Sequence, residues 1–350
     1  MPYKPRVILI DTKNLALISR FSEFKDPASL PDDPSVWRKL LAGRLASLVA
    51  YLGAENFVLF LDSEPYLRTQ TYPMYKRNRV EDTENGHNQW LAMREAIIQL
   101  KTKYPESVCS LPGYEADDLI ARYITRYARY AGHTFIIASS DKDLRQMQQI
   151  SPDIHFWSLY KWNWIPAPTE YDWRQFLALV GDSGDNISGC TGPKTAEKLL
   201  TGQADWEAFM AKPYSPKKVD QEAIELGFTQ NLVTMADVYA RNLKLVSLYG
   251  KHSLVPNCPI PKLPTEPFGI LPLLRDFLND PQWDPDYYSP EATEDNQPII
   301  VETAEPLPSI DDEDPPAEDK ADIYESYSLR LLKHIPKEMP KGWKHASDKN

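Results

Sequence analysis

Three short stretches of the chain are apolar without alternation, and each stops at an aspartate: Arg6–Asp11 (RVILID), 56–62 (NFVLFLD) and 134–141 (TFIIASSD). Unbroken apolar runs of this length, rich in β-branched and aromatic residues, predict strands buried on both faces, as in a parallel sheet. Helical periodicity fills the intervals, over 35–52, 89–103 and 116–130, and the last of these places Leu119, Ile120, Tyr123, Ile124 and Tyr127 on one face. The alternation predicts an α/β fold, a doubly wound and mostly parallel sheet with helices on both sides. Ligands of such sheets gather beyond the carboxyl ends of the strands, where Asp11, Asp62 and Asp141 stand.

Past Asp141, Lys142 and Asp143, an aromatic stretch at 155–164 leads into mostly helical patterns at 172–180, 219–226 and 232–248. Among them lies a turn-rich segment at 181–200, GDSGDNISGCTGPKTAEKLL. Regular patterns thin after residue 255, where 16 of the 31 prolines fall. DDEDPPAEDKAD at 311–322 reads as an acidic, disordered linker, and 324–334 as a short amphipathic helix. The expected organisation is an α/β core over 1–150, a helical region over 151–255, a proline-rich extension over 256–310 and an acidic disordered tail over 311–350.

At 42% hydrophobic and 11% aromatic over 350 residues, the composition is globular and supports a sizeable core. No run of 18 apolar residues exists, so no membrane-spanning helix is expected. The start, MPYKPRVILIDTKN, lacks the small-residue cleavage site of a signal peptide. Three widely spaced cysteines, Cys109, Cys190 and Cys258, supply neither a disulfide framework nor a zinc site, so the expected compartment is a reducing cytoplasm. The net charge of −11 is concentrated at one end: residues 291–350 hold 15 acids and 7 bases, leaving 35 acids and 32 bases for the rest. Bulk acidity therefore does not exclude a nucleic-acid partner.

The densest acidic cluster, Glu115, Asp117 and Asp118 in GYEADDLIARY, opens the third helical pattern. The dipole at a helix N-terminus stabilises an acid by only about 0.3–1 kcal/mol. Three acids facing the strand-end aspartates need a stronger counter-charge, and divalent cations supply one. In the doubly wound arrangement nine acids converge: Asp11, Asp62, Glu115, Asp117, Asp118, Asp141, Asp143, Asp182 and Asp185. Oxygen ligands without His or Cys favour Mg2+ or Mn2+ over zinc, and two such ions about 3.5–4 Å apart clamp a phosphodiester. Taken singly, these residues have ordinary readings: Asp11 as a helix cap, Asp182 and Asp185 as turn formers, 75–79 as a solvated basic stretch. Their convergence is what points to a metal pocket. Trp157, Trp162 and Trp164 read as packing aromatics, His133 and His155 as structural, and Cys190 as a small filler.

The set GYEADD, SSDKDL and GDSGDNISG…GPKTAEKLL, with Arg68 and the run Tyr75-Lys76-Arg77-Asn78-Arg79, strongly resembles the 5′ nuclease, or flap endonuclease, family in its bacterial and bacteriophage form. The resemblance implies one metal among Asp11, Asp62, Glu115 and Asp117 with Asp118 nearby, and another among Asp141, Asp143 and Asp185, with Asp182 reaching it directly or through water. It implies Lys76 and Arg79 at the scissile phosphate, Tyr75 stacked on a base of the unpaired end, and an arch region over about 76–100 through which a 5′ strand passes. That segment is short and carries Glu81, Asp82 and Glu84. The resemblance further implies that 181–200 is a helix–turn–helix element holding duplex, with Gly189 and Gly192 close to the strand and Lys194 and Thr195 at phosphates. Family members often hold a monovalent cation, K+, through carbonyls of this turn. Here the turn has two fewer residues between Gly189 and Gly192 than the family pattern, and Cys190 replaces a glycine.

The expected function is a Mg2+-dependent, structure-specific 5′ nuclease, acting as a 5′-3′ exonuclease and flap endonuclease, with Mn2+ substituting. Its substrates would be DNA with a 5′ single-stranded flap or an RNA–DNA hybrid, cut to remove RNA primers or flaps in DNA replication. A separate chain without a following polymerase region suggests the viral form acting in an infected bacterial cell. The acidic tail is the expected contact for replication proteins. Two alternatives stand beside this one. A junction-binding protein without catalysis is disfavoured by nine intact acids, and a ribonuclease on a related acidic sheet by the segment 181–200. An aspartate-nucleophile phosphatase is excluded, because Asp11-Thr12-Lys13 lacks the second aspartate of an early Asp-x-Asp.

Overall fold

The computed structural model describes residues 4–263 apart from 24–40, 42, 46, 50, 55, 64–65, 79–105, 129–131, 229–231 and 255–257. Six strands form one sheet in the order β3-β2-β1-β4-β5-β6. They are β1 (Arg6–Asp11), β2 (Asn56–Leu61), β3 (Val108–Ser110), β4 (Thr134–Ser139), β5 (Ile154–Ser158) and β6 (Asn163–Ile165). The first five run parallel and β6 pairs antiparallel with β5, which makes the sheet mostly parallel and doubly wound as its apolar runs predict.

Every residue of β2, β4 and β5 is buried, which is why those segments show no polar alternation. Successive side chains leave a strand on opposite faces. Ile8, Ile10, Leu59 and Ile136 pack on one side with Leu41, Leu45, Leu48 and Leu52 and with Leu15 of α1 (Thr12–Glu23). Val7, Leu9, Val58, Phe60 and Ile137 pack on the other with Leu119, Ile120, Tyr123 and Ile124 of α3 (Ala116–Tyr127). A short helix, α2 (Leu67–Thr71), follows β2, and a 3-10 helix (Lys142–Gln149) follows β4. Register sets the carboxyl ends level, with Asp11 opposite Phe60 and Ile10 opposite Ala138, so residues 11, 62 and 141 leave the sheet along one edge.

The sheet continues past the expected boundary at residue 150, because β5 and β6 come from the aromatic stretch that reads in sequence only as a connection. Trp157, Trp162 and Trp164 pack against one another there, with ring centroids 5.1–5.6 Å from that of Trp157, in keeping with packing aromatics. The three-residue β3 and the helix α1 are further additions to the expected elements. Beyond the sheet come α4 (Trp173–Val180), α5 (Pro193–Leu200), α6 (Trp206–Met210), α7 (Lys218–Glu225) and α8 (Met235–Val246), with α8 packed on α4. Among the described residues no helix is long and apolar enough to cross a membrane. The helix expected at 89–103, most of the arch region and nearly all of the proline-rich and acidic segments lie outside the described residues.

Candidate active site at the carboxyl edge of the sheet

Asp11 ends β1 beside the point where the strand order reverses between β1 and β4, the usual ligand crevice of such sheets. The Asn14 amide donates to its Oδ1 (3.1 Å) and the Ser139 hydroxyl to its Oδ2 (3.0 Å). Burial first, and then the charges of Asp62 and Asp141, push the Asp11 carboxyl up to about 7. Asp62 accepts the amide of Ala116 at 2.8 Å and lies 3.6 Å from the Lys13 ammonium. Asp117 is raised well above the carboxylate range by burial and by Asp141, Asp11 and Asp62, against the opposing pull of Lys76.

A second, overlapping group centres on the 3-10 helix. Asp141 caps it by accepting the Asp143 amide (2.8 Å). Burial raises Asp143 well above its ordinary range, helped by Asp141, Asp182 and Asp185. Its Oδ1 is buried with no hydrogen-bond partner. Asp182 and Asp185 sit on the turn after α4, where Asp182 accepts the Gly184 amide (2.8 Å) and lies 2.9 Å from the Lys142 ammonium. Asp117, Asp143, Asp185, Glu115, Arg68 and Tyr75 line one small cleft. Among the described residues, no three acidic, imidazole or thiol groups are gathered closely enough to make a closed metal site as they stand.

Glu115 and Asp118 are held differently from the sequence-based expectation. They form a reciprocal capping box at the start of α3, in which the Glu115 amide donates to Asp118 Oδ2 (3.1 Å). Arg68 of α2, itself 4% exposed, is forked between them. Its Nη1 donates to Glu115 Oε2 (2.7 Å) and Asp118 Oδ2 (2.8 Å), while Nη2 stands 2.7 Å from Asp118 Oδ1 and Nε donates to the Leu245 carbonyl (2.8 Å). Burial alone would favour losing the Arg68 proton, but the Asp118 charge, its hydrogen bond and the neighbouring Tyr75 and Asp117 together outweigh it, and the guanidinium stays firmly charged. Asp118 is thus shared between the helix cap and the arginine. Arg68 is visible in the sequence only as part of a family motif, because partners 47 and 50 residues away leave no local signature.

Tyr75 does not take the base-stacking posture that the family resemblance implies. It is 5% exposed, and its hydroxyl lies within hydrogen-bond distance of both Glu115 Oε2 (2.8 Å) and Asp185 Oδ2 (3.0 Å), sharing its one proton between them, so in this arrangement it ties two acids together. Lys76 has a left-handed backbone (φ 57°), held by its amide donating to the Asp185 carbonyl (3.0 Å). Its ammonium pairs with Glu115 and lies 3.9 Å from Asp185, at the heart of the cluster. Arg79 lies outside the described residues.

The turn joining α4 to α5 is folded on itself, with Asp182 and Ile187 bonded in both directions (2.9 and 2.7 Å). Gly189 is required by packing, since a Cβ there would meet the Val180 carbonyl at 1.9 Å. Gly192 is unlike it: a Cβ would meet nothing within 4 Å, so internal packing makes no demand for glycine. Gly192, Lys194 and Thr195 are exposed at the start of α5. Two of the turn's carbonyls are already used. Ser188 accepts from Asn242 (2.7 Å) and Arg241 (3.4 Å), and Gly189 from the Lys217 ammonium (2.8 Å), which counts against a K+ there.

Residues 6–175 match the family described as "5'-3' exonuclease, N-terminal resolvase-like domain". DNA polymerase I of Rhizobium leguminosarum is 34% identical over 46% of this chain and 16% of its own length. Ribonuclease H of Enterobacteria phage T4 is 29% identical over 53% of this chain and 63% of its own. A solved bacteriophage T5 flap endonuclease, in a pseudo-enzyme–product complex with DNA and metal ions, superposes with a TM-score of 0.51. It is 18% identical, over 78% of this chain and 97% of that one, a likeness of fold. An acidic crevice on a resolvase-like sheet is the class of site that residues 6–175 define, and over that stretch the chain is similar to 5′-3′ exonucleases. It spans only 16% to 25% of the length of the DNA polymerases I it matches.

Proposed function

We infer that the chain is a divalent-metal-dependent 5′ nuclease that hydrolyses phosphodiesters in 5′ flaps or RNA primers. The observation that carries this reading is the carboxylate pocket itself. Asp11, Asp117, Asp141 and Asp143 are all raised by burial and by one another, and Asp143 Oδ1 is buried without a partner. A cluster of buried acids short of counter-charge suits hard divalent cations bound through oxygen, Mg2+ first and Mn2+ as substitute. Asp11, Asp62, Glu115 and Asp117 would hold one ion, and Asp141, Asp143, Asp182 and Asp185 the other. When bound, such ions supply an activated water and charge for the leaving oxygen.

The chain's own residues do the rest. Lys76 offers its ammonium to the negative charge that grows on the phosphate, and its partners Glu115 and Asp185 place it at the pocket. Arg68 and Tyr75 fix Glu115 so that it does not swing out. The exposed start of α5, with Gly192, Lys194 and Thr195, takes duplex phosphates, as helix N-termini do. The T5 enzyme seen with DNA and metal ions supports both substrate and cofactor.

The test is cleavage of a 5′-labelled flap duplex with Mg2+, beside blunt duplex and free single strand, using wild type and Asp117→Asn. Cutting near the junction by wild type alone supports the reading. Retained flap binding without cutting would make the chain a junction binder, and cutting of single-stranded RNA alone a ribonuclease.

A further inference from the structure

Asp220, at the first turn of α7, is fully buried and lies outside the carboxylate pocket. Burying a charge is costly unless it is paired and hydrogen-bonded. Here the Tyr214 hydroxyl donates to it at 2.5 Å, the Tyr72 hydroxyl at 3.3 Å, and Arg241 of α8 pairs with it. The Arg241 guanidinium lies over the Tyr72 ring, 4.9 Å from its centroid. It also donates to the Ser188 carbonyl (3.4 Å) and to Asn242 Oδ1 (3.0 Å), while buried Asn242 donates to the carbonyls of Ser188 (2.7 Å) and Ala178 (2.9 Å).

These bonds have two ends. On one side Ser188 belongs to the turn that leads to Gly192, Lys194 and Thr195. On the other, Tyr72 accepts the Tyr75 amide at its carbonyl (2.8 Å), and so belongs to the segment that carries Tyr75 and Lys76 into the pocket. The same two segments are stitched again by Asn186, which donates to the Met74 carbonyl (2.8 Å), and by Asn78, which donates to the Ser183 carbonyl (2.9 Å). Well-packed apolar residues would give this interior comparable stability. What a fully satisfied polar network adds is a unique geometry.

We propose that Asp220, with Arg241 and Tyr72, is a positioning cluster that fixes the spacing between the duplex-holding turn and the carboxylate pocket, and thereby selects which phosphodiester is cut. The proposal rests on the nuclease reading above and adds its choice of bond. A duplex anchored at the turn presents the phosphate that lies one fixed distance away, and loosening the link presents its neighbours as well. No residue of the cluster touches the reacting atoms.

The experiment maps incision to single-nucleotide resolution on a 5′-flap duplex with Mg2+, using the full chain. Tyr72→Phe removes one hydroxyl and keeps the ring under Arg241, and Asp220→Asn removes the charge. Ile154→Val, which deletes one fully buried methyl from β5, controls for general destabilisation. Wild type and Ile154→Val are expected to cut at one predominant bond. Tyr72→Phe and Asp220→Asn are expected to spread cutting to adjacent bonds and to lower kcat by about tenfold or more, with less effect on KM. Unchanged incision in both cluster variants overturns the proposal, as does an equal spread in Ile154→Val. Absence of cutting by wild type overturns the nuclease reading instead.

Discussion

Replacing Arg68 by Met isolates the interaction that reconciles Glu115 with Asp118. The arginine is buried at 4% exposure and its guanidinium bridges two carboxylates that are themselves buried, at contacts of 2.7–2.8 Å. Removing one partner of a buried pair leaves the other charge uncompensated and costs about 3–5 kcal/mol. The lost bond to the Leu245 carbonyl lies within that range rather than beyond it. At about 2–4 °C per kcal/mol for a protein of this size, the melting temperature should drop by roughly 6–20 °C. The assay is thermal and urea denaturation in EDTA, with Asp118→Asn and the double variant completing a cycle. The two changes should couple by about 1–3 kcal/mol, because once the guanidinium is gone, neutralising the carboxylate at position 118 is no longer a loss. A single-variant loss under about 1 kcal/mol, or additive losses, would refute the argument that this ion pair is what admits the acids.

Other expectations are open to equally direct measurement. Asp11 has a folded-state value of about 7 against about 3.9 for an unfolded chain. Its ionised form is therefore the disfavoured one, and metal-free stability should fall as pH rises from about 4 through about 7. Melting curves in EDTA between pH 5 and 8 should show Asp11→Asn gaining on wild type as pH rises, by about 2–3 kcal/mol across that window, and Mg2+ should lift wild type at the upper end. Gly189→Ala should destabilise by several kcal/mol on meeting the Val180 carbonyl, whereas Gly192→Ala should melt within about 0.5 kcal/mol of wild type yet bind duplex more weakly in a titration. Lys76→Met should lower single-turnover flap cleavage by about 10²–10³-fold with little loss of flap affinity; a near wild-type rate would remove Lys76 from the chemistry.

The strand-end aspartates are legible because each closes a run that is buried on both sides, and burial leaves a continuous apolar signature. Elements that lack such a signature are not. Val108–Ser110 is too short to stand out, β6 is partly exposed, and α1 begins directly after Asp11 with no break in the chain to announce it. Within the site, residue types are readable but allegiances are not. Glu115, Asp117 and Asp118 look alike in sequence, yet Asp118 goes to Arg68 and the helix cap while Asp117 faces Asp141 and Asp11. Tyr75 looks like an aromatic for stacking until its hydroxyl is found between two acids from distant segments. Gly189 and Gly192 likewise differ only in what surrounds them.

The central place of β1 has a consequence for how the protein comes into being. Its residue Arg6 pairs with Thr134, so this strand, once synthesised, waits for one of its two neighbours. At about 5–20 residues per second, that wait lasts roughly ten seconds on the ribosome. During it an apolar strand has an open edge, the kind that recruits other chains; fragments ending before β4 should therefore precipitate rather than fold. The acids of the pocket extend to Asp185, later still in synthesis. On the proposed nuclease reading, a nascent chain is harmless to the nucleic acid around it, because the carboxylate pocket closes only after the sheet and the turn beyond it have been made.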